Sequence, residues 1–122
     1  MIIGKMTFVS QNSYGWRVTD NTISMIGTTP TISVNAGTVT VAAAVNAAGG
    51  LVKSGPGTLI LSATNTLLGP TTINRGILII TNNANAFLSD ATLTLGDNTT
   101  IASIVNAGTL DLSGMSQTIG SL

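Results

Sequence analysis

Residues 34–41 read Val-Asn-Ala-Gly-Thr-Val-Thr-Val, and similar stretches follow at residues 73–80, Ile-Asn-Arg-Gly-Ile-Leu-Ile-Ile, and at residues 105–112, Val-Asn-Ala-Gly-Thr-Leu-Asp-Leu. Residues 54–61, Ser-Gly-Pro-Gly-Thr-Leu-Ile-Leu, share the second half of this pattern, and residues 90–95 keep it with alanine in place of the glycine. The five anchor positions, 37, 57, 76, 91 and 108, are separated by 20, 19, 15 and 17 residues. A repeat of this length is typical of one coil of a β-solenoid.

Aliphatic residues stand two and four positions after each anchor. Because side chains alternate between the two faces of a strand, these residues all point to one face. If equivalent strands stack in register about 4.8 Å apart, the aliphatic side chains form continuous inward ladders. The predicted structural ladder consists of Val39, Val41, Leu59, Leu61, Leu78, Ile80, Leu93, Leu95, Leu110 and Leu112.

The anchor glycines mark the predicted corners between strands, where left-handed backbone angles or close contact between coils favour glycine. The predicted corner glycines are Gly37, Gly57, Gly76 and Gly108. The fold class predicted from these patterns is all-β, a right-handed parallel β-helix of about five to six coils. We expect residues 1–20 to form an N-terminal capping segment and residues 21–122 to form the repeat array.

The composition fits a slim, uncharged rod. Charged residues make up 7% of the 122 residues, and the net charge is zero, so no basic surface is expected to bind nucleic acid. Hydrophobic residues make up 43% and aromatic residues 3%, which favours a narrow aliphatic core. The chain has no cysteine, and no apolar run is long enough to predict a transmembrane helix.

The residues that catalysis usually requires are scarce. The chain has no histidine, and its four acidic residues, Asp20, Asp90, Asp97 and Asp111, fall in turn-like or outward positions. We therefore expect no enzyme activity, no catalytic residues, no cofactor and no metal site. A polysaccharide lyase or glycoside hydrolase is an alternative, because parallel β-helices often host these activities, and its candidate carboxylates are Asp97 and Asp111.

The segment from Gly49 to Gly76 resembles the passenger-associated transport repeat of bacterial autotransporters. It contains Gly-Gly-Leu at residues 49–51, Lys53, Gly-Pro-Gly-Thr-Leu at residues 55–59, Asn65-Thr66, Thr71-Thr72 and Asn74-Arg75-Gly76, in the order of the family motif. The closing stretches at residues 110–114 and 117–122 resemble the same family. The sequence departs from the motif at Leu67-Leu68, where the family commonly has Tyr-Thr, and at Pro70, which replaces a glycine.

This resemblance implies a non-enzymatic structural module of a bacterial secreted or surface protein, located outside the cell or on its surface. The leading hypothesis is a rigid stalk, or a fibre formed by head-to-tail stacking, because open β-helix ends expose unpaired backbone groups. The alternative is an adhesin or glycan-binding module with glycan or host-surface contacts. Its candidate contact surfaces are the flat outer face rich in Thr and Asn, or the aromatic residues Phe8, Tyr14, Trp16 and Phe87. A lid over the first coil explains the N-terminal aromatic residues as well.

Overall fold

The computed structural model describes residues 2–9, 16–19, 22–28, 30–81, 92–96 and 108–113. The regular structure in these residues consists of short β-strands. In chain order they are β1 (Ile2–Ile3), β2 (Lys5–Phe8), β3 (Trp16–Val18), β4 (Thr22–Met25), β5 (Thr31–Val34), β6 (Thr38–Val41), β7 (Ala44–Ala47), β8 (Leu51–Ser54), β9 (Thr58–Leu61), β10 (Thr66–Leu67), β11 (Thr71–Ile73), β12 (Gly76–Ile80), β13 (Leu93–Leu95) and β14 (Gly108–Asp111). Among the residues in these ranges, none belongs to a helix long and apolar enough to cross a membrane.

The strands form three parallel sheets. Sheet 1 has the order β1-β4-β7-β10, sheet 2 has β2-β5-β8-β11-β13, and sheet 3 has β3-β6-β9-β12-β14. Because each sheet takes every third strand as far as β12, the chain winds through all three sheets once per coil. This arrangement confirms the predicted β-solenoid. The described strands stack four deep in sheet 1 and five deep in sheets 2 and 3, slightly fewer than the five to six coils expected.

The core is an aliphatic column along the axis of the coils. Val39, Leu59 and Leu78 stack in register on the inner face of sheet 3, beside the stack of Val41, Leu61 and Ile80. All six side chains are fully buried. Burying each of them contributes about 1.5–3 kcal/mol relative to exposure. Leu110 and Leu112 lie at the end of these stacks, where they are half-buried against the core.

Leu93 and Leu95 lie in a different stack from the one expected. Strand β13 pairs with β11 in sheet 2, so that Leu93 lies beside Thr71 and Leu95 beside Ile73. Leu93 is buried, whereas Leu95 is 45% exposed. The Thr-Leu-Thr-Leu alternation sets which face a residue occupies, but every sheet that faces the core carries the same alternation. Since Gly76 pairs directly with Gly108, the 15- and 17-residue steps around position 91 are two parts of one long coil.

The first twenty residues contain strands of the same kind as those that follow. Strands β1, β2 and β3 pair in parallel with β4, β5 and β6, respectively, and form the first coil. Ile3, Met6, Phe8 and Val18 are half-buried and pack against the core. This segment is therefore continuous with the array in its pairing, and its role as a cap stays a prediction.

The four anchor glycines meet two different requirements. Gly37 and Gly76 adopt positive φ angles of 66° and 74°, which side-chain-bearing residues rarely adopt. Gly57 has no positive φ, but a Cβ atom there would lie 2.8 Å from the carbonyl oxygen of Gly37 in the coil below. A Cβ atom on Gly108 would collide with the carbonyl oxygen of Ile73. Backbone angle and close packing between coils thus each require glycine at these positions.

Candidate functional site

The described residues hold no cluster of acidic side chains. No group of three or more His, Cys, Asp or Glu side chains that could hold a metal ion occurs among them. Asp111 is exposed on sheet 3, and its Oδ1 atom accepts a hydrogen bond of 2.8 Å from the Ser113 main-chain N–H. Asp97, its proposed partner in a lyase or hydrolase, lies outside the described residues, as do Asp20 and Asp90.

Lys53 forms the most elaborate polar site in the described residues. It lies on the inner face of β8 between Ile32 of β5 and Ile73 of β11, and its side chain has no solvent exposure. The Nζ atom donates hydrogen bonds to the carbonyl oxygens of Ser54 at 3.0 Å, Gly55 at 2.8 Å and Arg75 at 2.9 Å. An ammonium group has three donors, so each one has a partner.

The three carbonyl groups belong to two neighbouring coils. Ser54 is the last residue of β8 and Gly55 follows it, whereas Arg75 lies between β11 and β12 one coil further along. The corner glycine Gly76 leaves the space for this arrangement, because a Cβ atom there would lie 2.9 Å from Nζ. Lys53 thereby joins the corners of two successive coils.

The electrostatic environment of Lys53 disfavours its charge. Burial lowers the pKa of its amine from 10.5 to about 8, because an apolar surrounding penalises the ammonium form. The amine remains mostly protonated at neutral pH. The sequence analysis included Lys53 only as a motif position and missed this role. The available signal was its place two residues after Leu51, which puts it in the inward phase of the strand.

A second buried polar side chain bridges coils at another corner. The Val45 main-chain N–H donates a hydrogen bond of 2.9 Å to Oδ1 of Asn65, which lies twenty residues further along the chain. The Asn65 side-chain amide in turn donates to the carbonyl oxygen of Ala63 at 2.6 Å. Because buried backbone donors are costly to leave unpaired, Asn65 satisfies a position that an aliphatic side chain would leave open.

Sheet 1 carries a groove on its outer face, which we call the sheet 1 groove. Its volume is about 340 Å³, and it is lined by Ser24, Met25, Ile26, Asn46, Ala47, Ala48, Thr66 and Leu68. Ser24, Asn46 and Thr66 lie in one register row and form its polar side. Ile26 and Leu68, 54% and 41% exposed, stand on either side of the small Ala48 and form its apolar walls. The sequence analysis did not single out this groove.

The aromatic residues do not line the sheet 1 groove. Phe8 is half-buried and packs against the core on the first coil. Tyr14, Phe87 and the side chain of Trp16 lie outside the described part of the structure. Their proposed contact with sugar rings therefore stays a prediction.

Comparison with known proteins adds two matches. Residues 51–87 match the family described as passenger-associated-transport-repeat. The chain is also similar to the adhesin BmaC autotransporter of Brucella suis biovar 1 (strain 1330), with 38% identity over 82 residues. That alignment covers 67% of this chain, and the chain spans about 2% of the length of that adhesin. No solved structure matches the chain at a significant level.

The matched region includes the two buried polar sites described above. It contains β8 to β12, the Lys53 site, Asn65 and the corner glycines Gly57 and Gly76. The match and the parallel coils agree with the resemblance carried by residues 49–76. The chain therefore contains a passenger-associated transport repeat of the autotransporter family, which places it outside the cell or on the cell surface.

Proposed function

We propose that this chain serves as a rigid, non-enzymatic coil module that forms a stalk within a surface passenger. The observation that carries the proposal is the unbroken core along sheet 3, where aliphatic side chains stack coil upon coil. Each coil buries the hydrogen-bonding edge of its neighbour, so the array resists bending and fraying along its length. The scarcity of titratable side chains supports a mechanical role over a catalytic one.

Single-molecule force spectroscopy of the chain between two marker domains tests the stalk. If coils unfold one after another, one coil of 20 residues, the spacing of Gly37 and Gly57, releases a contour length of about 70 Å at roughly 3.5 Å per residue. Leu59→Asp should remove the force peaks because it places a charge in the core. Ile60→Asp, on the outer face of the same strand, should keep them. Smooth extension of the unaltered chain without force peaks would refute the stalk.

End-to-end stacking of modules into a fibre extends the same proposal. The partly buried apolar side chains that pack at the ends of the core lie on the first and last described coils, namely Ile3, Met6, Phe8, Val18, Leu110 and Leu112. Covering them with a further coil would complete the core. Electron microscopy and sedimentation velocity at rising protein concentration should show linear assemblies. Monodisperse particles over the whole concentration range would contradict the fibre while leaving the stalk intact.

A second candidate function is adhesion through the sheet 1 groove. Its apolar walls and its row of hydroxyl and amide groups suit a ligand with one apolar and one polar side, as many glycans have. The similar Brucella protein is named an adhesin. On a glycan array, Ala48→Trp should abolish binding because it fills the groove. Thr38→Trp, exposed at the start of β6 in sheet 3, is the matched control. An array without hits for the unaltered chain would remove this candidate.

A further inference from the structure

We propose that two copies of this chain stack head to tail in one defined register, with Asp111 of one copy paired to Arg17 of the next. This inference rests on the proposed end-to-end stacking and adds to it the contact that selects the partner and its orientation. The observation behind it is a single outward row of side chains that crosses all five strands of sheet 3.

The row can be followed strand by strand. Arg17 of β3 pairs with Thr40 of β6, Thr40 with Ile60 of β9, Ile60 with Ile79 of β12, and Ile79 with Asp111 of β14. Residues that pair in register in a parallel sheet point to the same face. The row therefore begins with a cation and ends with an anion, with uncharged side chains between them. Arg17 and Asp111 are both exposed.

Within one molecule the two charges are too far apart to pair. Four strand spacings of about 4.8 Å separate them, which is about 19 Å. If β3 of a second copy adds to β14 in the register used inside the molecule, Arg17 of that copy lies one strand spacing from Asp111. At that separation a carboxylate and a guanidinium can form a hydrogen-bonded pair. The same surfaces in the reverse orientation would bring like charges together.

The inner column of sheet 2 continues across the same junction. In sheet 2 the inner column runs from Met6 through Ile32, Lys53 and Ile73 to Leu95. Leu95 is 45% exposed at one end, and Met6 is half-buried at the other. The stacking register that joins Asp111 to Arg17 also places Leu95 over Met6 of the next copy. One junction thus joins the charged ends of the outer row and the apolar ends of the inner column.

The distribution of charge along the sequence has the same polarity. Residues 1–20 contain Lys5, Arg17 and Asp20, a net charge of +1, whereas residues 90–122 contain Asp90, Asp97 and Asp111 and no basic residue, a net charge of −3. Within sheet 3 the two charged residues are Arg17 on the first strand and Asp111 on the last, so these two edges of the sheet attract each other across a junction. Because the contact joins two different surfaces, it propagates into an open linear assembly and does not close as a symmetric dimer.

Charge exchange tests the pairing by sedimentation velocity at low ionic strength. Arg17→Asp and Asp111→Arg should each weaken self-association of the 122-residue chain by about tenfold or more, since each places like charges at the junction. The double variant carrying both changes should restore it. Lys5→Asp is the matched control, because its row ends at the uncharged Thr94. Lys5→Asp combined with Asp111→Arg has the net charge of the double exchange and should not restore association.

The outcomes separate this inference from the proposal on which it rests. Restoration by the double exchange alone supports the Arg17–Asp111 register. If the unaltered chain associates but the exchanges change nothing, this register is wrong and stacking stands. If the unaltered chain stays monomeric at low salt and high concentration, both stacking and this register are wrong. Circular dichroism and protease resistance of each variant show that loss of association is not loss of fold.

Discussion

At the scale of single residues, Lys53 is the least expected feature of this core. A charged side chain between Ile32 and Ile73 is tolerated because all three of its donors reach carbonyl oxygens at a corner. Desolvation of the ammonium and its three hydrogen bonds act in opposite directions. The balance decides what replacing or titrating Lys53 does to stability.

Replacing Lys53 with methionine should lower the free energy of unfolding by about 2–4 kcal/mol, since three carbonyl groups lose their donor at once. Lys5→Met makes the same chemical change at an exposed position of β2 and should change stability by less than about 0.5 kcal/mol. Urea unfolding of both variants measures the difference. Equal stability of the two variants would show that the corner does not depend on Lys53.

Raising the pH should stabilise the protein through Lys53. Its folded pKa of about 8 lies below the ordinary value of 10.5, so between these values the unfolded chain binds more protons than the folded one. The free energy of unfolding therefore rises from pH 8 to pH 10.5, with a slope below about 1.4 kcal/mol per pH unit. The neutral amine keeps two donors, so deprotonation removes one hydrogen bond, unlike the methionine variant. The free energy of unfolding of Lys53→Met should not rise in this way. A rise of equal size in both proteins would show that a group other than Lys53 causes it.

Thr71 has a buried hydroxyl group that makes no hydrogen bond in the described structure. It lies between Leu51 and Leu93 on the inner face of sheet 2. Thr71→Val keeps the shape of the side chain and removes the buried hydroxyl. It should therefore raise the free energy of unfolding, measured in urea, by about 1 kcal/mol. Thr72→Val, half-buried on the outer face of the same strand, should change little. Destabilisation by Thr71→Val would mean that the hydroxyl has a partner.

At the scale of the strand, alternation decides which side chains carry stability. In β9, Leu59 is fully buried between Val39 and Leu78, whereas its neighbour Ile60 faces outward and is half-buried. Leu59→Ala should therefore cost about 3 kcal/mol, and Ile60→Ala about 1 kcal/mol or less. Chemical denaturation of the two variants compares them directly. Similar losses at both positions would contradict the inward assignment of the ladder.

At the scale of the whole molecule, stability is a sum of coils and their contacts with immediate neighbours. A residue in a central coil contacts two neighbouring coils, whereas one on an end coil contacts one. Leu110 occupies the same stack as Leu59 but is half-buried at its end. Leu110→Ala should cost about 1 kcal/mol, clearly less than Leu59→Ala. If association buries the end coils, the difference in destabilisation between Leu59→Ala and Leu110→Ala should become smaller at high protein concentration. Thermal unfolding at two concentrations would show this change.

The sequence by itself determined the fold class, the length of the coils between Gly37 and Gly76, and the inward face of the strands that follow Gly37, Gly57 and Gly76. A period-two pattern of aliphatic residues, repeated at coil length, can be satisfied in few ways other than by stacking parallel strands. The family motif at residues 49–76 was likewise readable without coordinates, and both matches agree with it.

Only the tertiary structure decided which sheet each strand joins and which distant residues become neighbours. Leu93 and Leu95 show what the sequence pattern could not predict. Their alternation suits any sheet around the core, and the pairing of β13 with β11 is what assigns them to sheet 2. The Lys53 corner, the sheet 1 groove and the row from Arg17 to Asp111 likewise join residues from different coils. Alternation along one strand is a local property, whereas register between strands depends on how many residues each intervening corner consumes, and the spacing of a motif does not state that number.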